Sequence, residues 1–321
     1  MKKTALVITI LIATLLVLMV LGICLGSVSI SFKEIINALI GTDGAANVVY
    51  IIRNIRLPRV LCAIFAGSAL ALGGVIFQSV FRNPMADSYI LGVSSGASCL
   101  IGFNLLLGFG LGNIPAALIG SVGTTSLLFL TNKNNHQRLL LSGIALNFLL
   151  SALTTLTIYL GKRQMDSVLY WTMGSLGGSC WTYVLVLFLA SSLAFAYLRG
   201  QATALDLLLL DDSTAVSSGL NIRKKRVILL FCASVLTALV VSFCGIIGFV
   251  GLMAPHFARL IVGPKHQRLL PVATLLGSCI LLLADILARF IIAPSELPIG
   301  IITSILGAPI FLFLIRRRNV Y

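Results

Sequence analysis

The stretch GIIGFVGLMAPHFARLIVGPKHQR, Gly245 to Arg268, decides how the whole chain folds. It reads as a glycine-punctuated hairpin inside a membrane. An apolar helix ends in spaced glycines (Gly245, Gly248, Gly251), Pro255 restarts a helix carrying His256 and Arg259, and a basic turn closes it. Glycine and proline at membrane depth are tolerated where neighbouring protein or a cavity satisfies the freed backbone groups. An ionisable residue in that setting faces the interior of a bundle and not lipid. The stretch is therefore expected at the inner seam of a helical bundle.

The composition around it agrees. Of 321 residues, 59% are hydrophobic and 10% charged, with a mean hydropathy of +1.08; a soluble domain carries about 25% charged residues. Apolar runs of about 20 residues recur, each long enough to cross a bilayer as a helix, whereas a membrane barrel would show short alternating segments. The net charge of +14 does not point to nucleic acid, because Lys and Arg sit in short clusters between apolar runs, the distribution that orients membrane proteins. The seven cysteines show no CxxC and no metal-ligand spacing. Most lie in apolar runs, where Cys behaves as a small hydrophobe. The N-terminal MKKTALVITILIATLLVLMVLGICLG has a longer apolar run than the about 7–15 residues of a secretory signal. Ile23 before Cys24 does not suit lipoprotein cleavage, so this segment is expected to stay as a first helix.

Apolar spans fall near 4–25, 58–81, 88–107, 114–131, 139–160, 181–198, 227–247, 252–262, 270–292 and 298–315. With Lys2 and Lys3 inside, alternate connections place Arg82, Lys133, Arg138, Arg199, Arg223, Lys224, Lys225, Arg226, Lys265, Arg268 and the tail Arg316–Arg318 on the cytoplasmic side. Only Lys33, Arg53, Arg56, Arg59, Lys162 and Arg163 fall outside, and an odd number of crossings would move the tail arginines there. The bias favours an even count with both termini cytoplasmic. Two connections exceed a simple turn. The outer one, 26–57, includes SVSISFKEIINALIG, which suits a short amphipathic helix; the inner one, 199–226, is the most polar segment of the chain. No linker divides the sequence, so residues 1–321 read as one all-α, polytopic transmembrane domain of about ten helices. HQRLL occurs at 136–140 and again at 266–270, and similar demands at two helix starts explain it as well as duplication does. Gly67 with Ala71, and Gly92 with Gly96, have the spacing that lets membrane helices approach closely.

Catalytic motifs are missing. GSVGTTS (120–126) lacks the lysine of a phosphate-binding loop. Asp211 and Asp212 have no second acidic cluster to share a divalent metal, so no metal site is expected. Four ionisable residues lie within spans: His256, Arg259, Asp285 and Arg289. Asp285 and Arg289 are four apart on one helix and can pair. That pair reads as a bundle-stabilising ion pair shared with Arg259, or else Asp285 is a proton relay of a secondary transporter. His256 reads as a packed, hydrogen-bonded histidine, with a haem-binding or proton-relay role as the alternative.

Several blocks, in order, resemble the FecCD-type permeases, the membrane subunits of ABC importers for iron–siderophore, haem and cobalamin. They are RNIRLPRVLCAIFAGSALALGGVIFQSVFRNPMADSYILGVSSGAS (53–98), LLLSGIALN (139–147), YWTMGSLGG (170–178), GFVGLMAPHFAR, LLLADILAR and ELPIGIITSILGAPIFLFLI. The likeness covers nearly the whole chain beyond the first helix. It implies a homodimer of ten-helix subunits in the bacterial cytoplasmic membrane, with a translocation path along the dimer axis. Two cytoplasmic ABC ATPase subunits would bind ATP and Mg, an extracytoplasmic substrate-binding protein would dock outside, and this subunit would hold no cofactor itself. Ferric siderophores are the expected cargo, with haem, cobalamin or an oxyanion as alternatives.

The resemblance also implies roles for individual residues. Asp211, Asp212, Ser213, Thr214, Ala215, Ser218, Gly219 and Leu220, within the 199–226 loop, would form short helices that couple to the ATPase. The family carries glycine before the acidic pair and leucine before the later glycine, where this chain has Leu210 and Ser218. Arg53, Arg56 and Arg59, at a helix mouth, would pair with acidic residues of the binding protein; the residue-level alternative is anchoring to lipid headgroups. Asn83, Pro84 and Met85 would form a cytoplasmic gate, a turn that Asn caps and Pro fixes. Residues 164–178 would form an outer re-entrant helix, with Tyr170, Trp171, Met173 and Gly174 on the translocation path.

Overall fold

The computed structural model describes residues 2–26, 30–40, 46–131, 136–161, 166–210, 212–217 and 221–316. Among them are helices and turns and no strand. In chain order the helices are α1 (Lys2–Cys24), α2 (Phe32–Ile40), α3 (Ala46–Tyr50), α4 (Leu57–Val80), α5 (Val93–Leu107), α6 (Asn113–Thr131), α7 (His136–Gly161) and α8 (Asp166–Thr172). There follow α9 (Trp181–Gly200), α10 (Ala202–Leu208), α11 (Asp212–Ser217), α12 (Ile222–Cys244), α13 (Val250–Val262), α14 (His266–Phe290) and α15 (Ile299–Arg316). The expected apolar spans correspond to α1, α4, α5, α6, α7, α9, α12, α13, α14 and α15. Among the described residues seven stretches are long and apolar enough to cross a membrane, and Val93–Leu107, Val250–Val262 and Ile299–Ile310 are shorter apolar helices. The amphipathic helix expected in 26–57 is α2.

The hub is α4, buried along nearly its whole length against α14, α12, α9 and α13. Its sequence, LPRVLCAIFAGSALALGGVIFQSV, sets small residues on several faces, so more than one helix can come close. A methyl on Gly67 would strike the Gly277 carbonyl of α14, and one on Gly277 would strike the Gly67 carbonyl. Beside this crossing Ser278 Oγ donates to the Ile64 carbonyl at 2.9 Å and lies 2.8 Å from Ser68 Oγ. The two helices run antiparallel. Arg59, at the start of α4, meets Asp285 near the end of α14; Ser79, at the end of α4, meets His266 at the start of α14. These contacts define an Arg59 end and a His266 end of the bundle.

The decisive hairpin is present, with one correction. After α12 ends at Cys244, residues 245–248 are irregular and α13 starts at Val250, not at Pro255. Phe249, with φ of +66°, turns its carbonyl into the new helix and accepts from the N–H groups of Leu252 (3.1 Å) and Met253 (2.8 Å). Pro255 therefore lies inside α13. Lacking an N–H, it leaves the Gly251 carbonyl without its helical donor. That carbonyl packs directly on α4 at Gly74, where any side chain would collide with it.

The approach to α4 also differs from expectation. Helix begins at Ala46 and continues through a π-helical turn, Ile51–Arg56, so the three arginines lie within a helical run and not at its mouth. Leu57 N donates to the Ile52 carbonyl. In the same register the Arg53 carbonyl would face Pro58, which has no donor. It accepts instead from Trp181 Nε1 at 3.1 Å, which ties the start of α9 to this turn.

Gly74→Ala is expected to destabilise the fold by about 1–3 kcal/mol, because the methyl meets backbone that cannot rotate away. Thermal melting in detergent tests this against Gly123→Ala, where nothing lies within 4 Å of the added methyl. Equal melting temperatures for the two variants would contradict the close approach of α13 to α4.

Candidate translocation site

At the Arg59 end a fully buried carboxylate, Asp285, sits between two arginines. Arg59 Nε donates to Asp285 Oδ1 at 2.9 Å, and Arg289 Nη2 lies 2.9 Å from Asp285 Oδ2 one helical turn away. Arg59 Nη1 also reaches both Glu296 oxygens, at 3.0 and 2.8 Å. Two cations thus meet two carboxylates. The pairing of Asp285 with Arg289 follows their spacing, but the shared arginine is Arg59 and not Arg259. Arg259 lies on α13, towards the His266 end, whereas Asp285 is 19 residues along α14 from His266, about 28 Å at 1.5 Å per residue. Arg289, with Arg56, also closes α1. Arg289 Nη1 donates to the Gly22 (3.0 Å) and Leu25 (2.9 Å) carbonyls, and Arg56 Nη1 to those of Ile23 (2.7 Å) and Cys24 (2.9 Å). These are the carbonyls that a helix C-terminus leaves without donors, and cations are favourable there.

Beyond this network a cavity of about 600 Å³ opens among α8, α13, α15 and the turn before α5. Met173, Ile246, Phe249, Leu252 and Ile305 give it apolar walls, and Asp87, Tyr89, Thr172 and Ser304 are its polar positions. The chain from Met173 to Ser175 is pinned on both sides. Ser175 N donates to the Cys244 carbonyl (2.8 Å), Ile299 N to Gly174 (3.0 Å) and Gly300 N to Met173 (3.1 Å). Of the expected path residues, Met173 lines the cavity, Tyr170 is 71% exposed, Trp171 is half-buried and Gly174 is buried. The re-entrant helix is shorter than 164–178, since α8 ends at Thr172. Asp87 was not singled out from the sequence. Its Oδ1 accepts from Ser88 N (2.6 Å) and Ser88 Oγ (3.1 Å), capping the 3-10 turn Ser88–Leu91. An Asp-Ser pair after a proline turn is the signal that could have found it.

At the His266 end, Asn83, Pro84 and Met85 form the expected turn. Asn83 Oδ1 accepts from Met85 N (2.9 Å), and the Asn83 carbonyl accepts from Ala86 N (3.0 Å). Arg82, with φ of +48°, donates from Nε to the Leu208 carbonyl of α10 at 2.8 Å. On α13, Arg259 Nη1 donates to Gln78 Oε1 (3.0 Å), and Gln78 Nε2 donates to the Leu252 carbonyl (3.1 Å). His256 is half-buried, and its Nδ1 has no partner among the described residues.

In the 199–226 connection, α10 and α11 are short helices. Thr214 is exposed and Ala215 buried; Asp212 and Ser213 lie on α11, and Asp211, Ser218, Gly219 and Leu220 lie outside the described residues. Sequence reasoning missed Asp206 and His266. Asp206 Oδ1 accepts from His266 N (3.0 Å) and lies 2.6 Å from its Nδ1, while His266 Nε2 is 2.7 Å from Ser79 Oγ. Burial opposes the Asp206 charge, yet the bonds from His266 outweigh it and hold the carboxyl below its usual range. The lone acid in LDLLLL and the repeated HQRLL were the available signals, and neither names its partner.

Comparison with known proteins places this geometry. Residues 14–317 match the model of the FecCD transport family. The chain belongs to the FecCD family. It is a multi-pass membrane permease. A hemin transport system permease of Yersinia pestis is 41% identical over 95% of this chain and 94% of its own length. The Fe(3+) dicitrate permease of Escherichia coli is 38% identical over 84% of this chain and 86% of its own. A solved metal-chelate type ABC transporter in an inward-facing conformation superposes with a TM-score of 0.87 at 32% identity, covering 97% of this chain and 98% of that one.

Within this FecCD permease the three arginines assigned to docking occupy different settings. Arg59 is buried and bound to Asp285 and Glu296. Arg56 is buried on the end of α1, and Arg53 is exposed, with its Nε donating to the Ala38 carbonyl at 2.8 Å. Asp285→Ala is expected to cost roughly 3–5 kcal/mol, the range for leaving a buried countercharge uncompensated. The measurement is thermal unfolding of the purified protein. A loss no larger than that of Asp166→Ala, an exposed acid on α8, would show that the cluster is not what holds this end together.

Proposed function

We propose that this chain is the membrane subunit of an ATP-driven ABC importer that takes up ferric siderophore complexes by alternating access at a homodimer interface. The observation that carries this reading is the cavity between the Met173–Ser175 segment and the Ser88–Leu91 turn, in a chain whose relatives include iron and hemin permeases. Its apolar wall suits a bulky chelate. Both termini and the 199–226 connection are cytoplasmic in this reading, following the distribution of basic residues. Two ATPase subunits bind ATP and Mg and dock on α10, α11 and the adjoining residues 211 and 218–220. Their closure moves the Asn83–Met85 gate.

On the opposite face an extracytoplasmic binding protein delivers the cargo. Arg53 offers it an exposed cation; Arg56 and Arg59 engage only if acidic residues of that protein compete for bonds now made inside the subunit. Surface pairs of this kind steer encounter more than they add affinity and weaken with salt. The proton-coupled alternative asks Asp285 to gain and lose a proton. Asp285 is fully buried, held by Arg59 and Arg289, and does not line the cavity, which argues against that role.

Reconstitution of the permease with its ATPase and binding protein tests the assignment. Uptake of a ferric siderophore should require ATP, and Asp211→Lys/Asp212→Lys should reduce it at least tenfold while the permease still folds. Uptake that persists without ATP and collapses with an uncoupler would reverse the conclusion. Side-by-side uptake of ferric siderophore, hemin and cobalamin identifies the cargo, and preference for either of the latter two would replace the siderophore.

A further inference from the structure

The chain of contacts Asp206, His266 and Ser79 has no part in the cavity. Its three members come from α10, α14 and α4. The spacings, 2.6 Å and 2.7 Å, would suit a hydrolytic triad, but Ser79 and His266 are both 0% exposed and no substrate reaches them. Ser79 Oγ donates to the Val75 carbonyl at 2.7 Å and lies against His266 Nε2. The carboxylate of Asp206 accepts from the His266 backbone N–H and lies against Nδ1. In this arrangement the ring has a polar partner at each nitrogen and joins the polar 199–226 connection to the last turn of α4.

A second link runs in parallel. Two residues beyond Asp206, the Leu208 carbonyl accepts from Arg82 Nε at 2.8 Å. Arg82 immediately precedes Asn83 and holds a φ of +48° that a non-glycine residue seldom adopts. A seven-residue helix, α10, is therefore attached at one point to the end of α4 and at another to the turn that follows it. Leu205 and Leu208, both buried, seat the same helix on the bundle. A rigid element held twice in this way cannot shift without moving the turn. In the inner link Ser79 and His266 are sealed from water, while the Asp206 side chain is 38% exposed.

We propose that His266 is a positioning residue for transport: with Asp206 and Ser79 it forms the pin that transmits displacement of α10 to the Asn83–Met85 turn. This rests on the importer reading above. It assigns a role to residues that touch neither cargo nor nucleotide, acting through Arg82 and the end of α4. Loss of the pin leaves α10 able to move while the turn stays in place, so ATP is spent with little cargo moved.

The test uses the complete importer in proteoliposomes and nanodiscs, comparing wild type with Asp206→Asn, Ser79→Ala and Asp206→Glu. Cargo molecules moved per ATP hydrolysed should fall about tenfold in Asp206→Asn, the scale of one charge-assisted hydrogen bond. Ser79→Ala, which cuts the other side of the ring, should fall in the same direction, and Asp206→Glu should recover part of the ratio. Hydrogen exchange should show ATP-dependent change in both 202–208 and 82–86 of wild type, but only in 202–208 of Asp206→Asn. An unchanged ratio overturns the proposal, and so does retention of both exchange changes in the variant. A fall of melting temperature, hydrolysis and uptake together at constant ratio also overturns it, since that is the signature of a merely structural bond. Wild type that moves cargo without ATP would sink the importer reading itself and the pin with it.

Discussion

A carboxylate with no exposure, Asp285, stands between Arg59 and Arg289 in the most apolar part of the chain, and the Arg59 end is built around keeping that charge neutralised. A lone ion at this depth would cost several kcal/mol, so each partner must be placed by packing and not by flexible reach. Arg289 is placed by its helical spacing from Asp285. Arg59 is placed by the crossing of α4 and α14, whose closeness depends on Gly67 and Gly277. Both guanidinium groups have donors left over. Those of Arg59 go to Glu296, just before α15, and those of Arg289 to the last carbonyls of α1. One buried charge thereby fixes the relative positions of α1, α4, α14 and the start of α15.

The path wall hangs on that frame. Ile299 and Gly300, three and four residues after Glu296, hold the Met173–Gly174 backbone by two hydrogen bonds, and Cys244 holds Ser175. The segment facing the cavity is thus irregular backbone whose polar groups are bonded by neighbouring helix ends, the condition under which non-helical chain survives inside a membrane. The hairpin from Gly245 to Val262 completes the wall, with the Gly251 carbonyl freed by Pro255 pressed onto Gly74 of α4. Movement of α13 against α4 is restricted by backbone contact, whereas the His266 end is joined through side chains.

Much of this was legible in the sequence. The ten apolar spans, the amphipathic α2, the turn at Asn83–Pro84 and the pairing of Asp285 with Arg289 all depend on residues within a few positions of each other. The boundaries that shifted did so for local reasons of another kind. Phe249 in a left-handed conformation starts α13 early, and a π-turn with help from Trp181 carries helix through Pro58. Neither residue type announces such behaviour. The candidate site was less legible: Met173 was expected on the path, but Asp87, Asp206 and His266 were passed over because a single acid or histidine at a helix start has many ordinary explanations.

What the sequence by itself determined was the medium and the inventory: a membrane solvent, about ten apolar spans, the bundle's few buried charges and the glycines that let helices meet. These follow from composition and from periodicity over one or two helical turns, which are properties of neighbouring residues. What only the tertiary structure decided was who meets whom. Arg59 and not Arg259 completes the pair at Asp285, across 226 positions, and Asp206 finds His266 across 60. Such contacts are selected by how whole helices cross and by the exclusion of water at the crossing. No local pattern records that choice, because any of several arginines could neutralise the same carboxylate until packing puts one of them there.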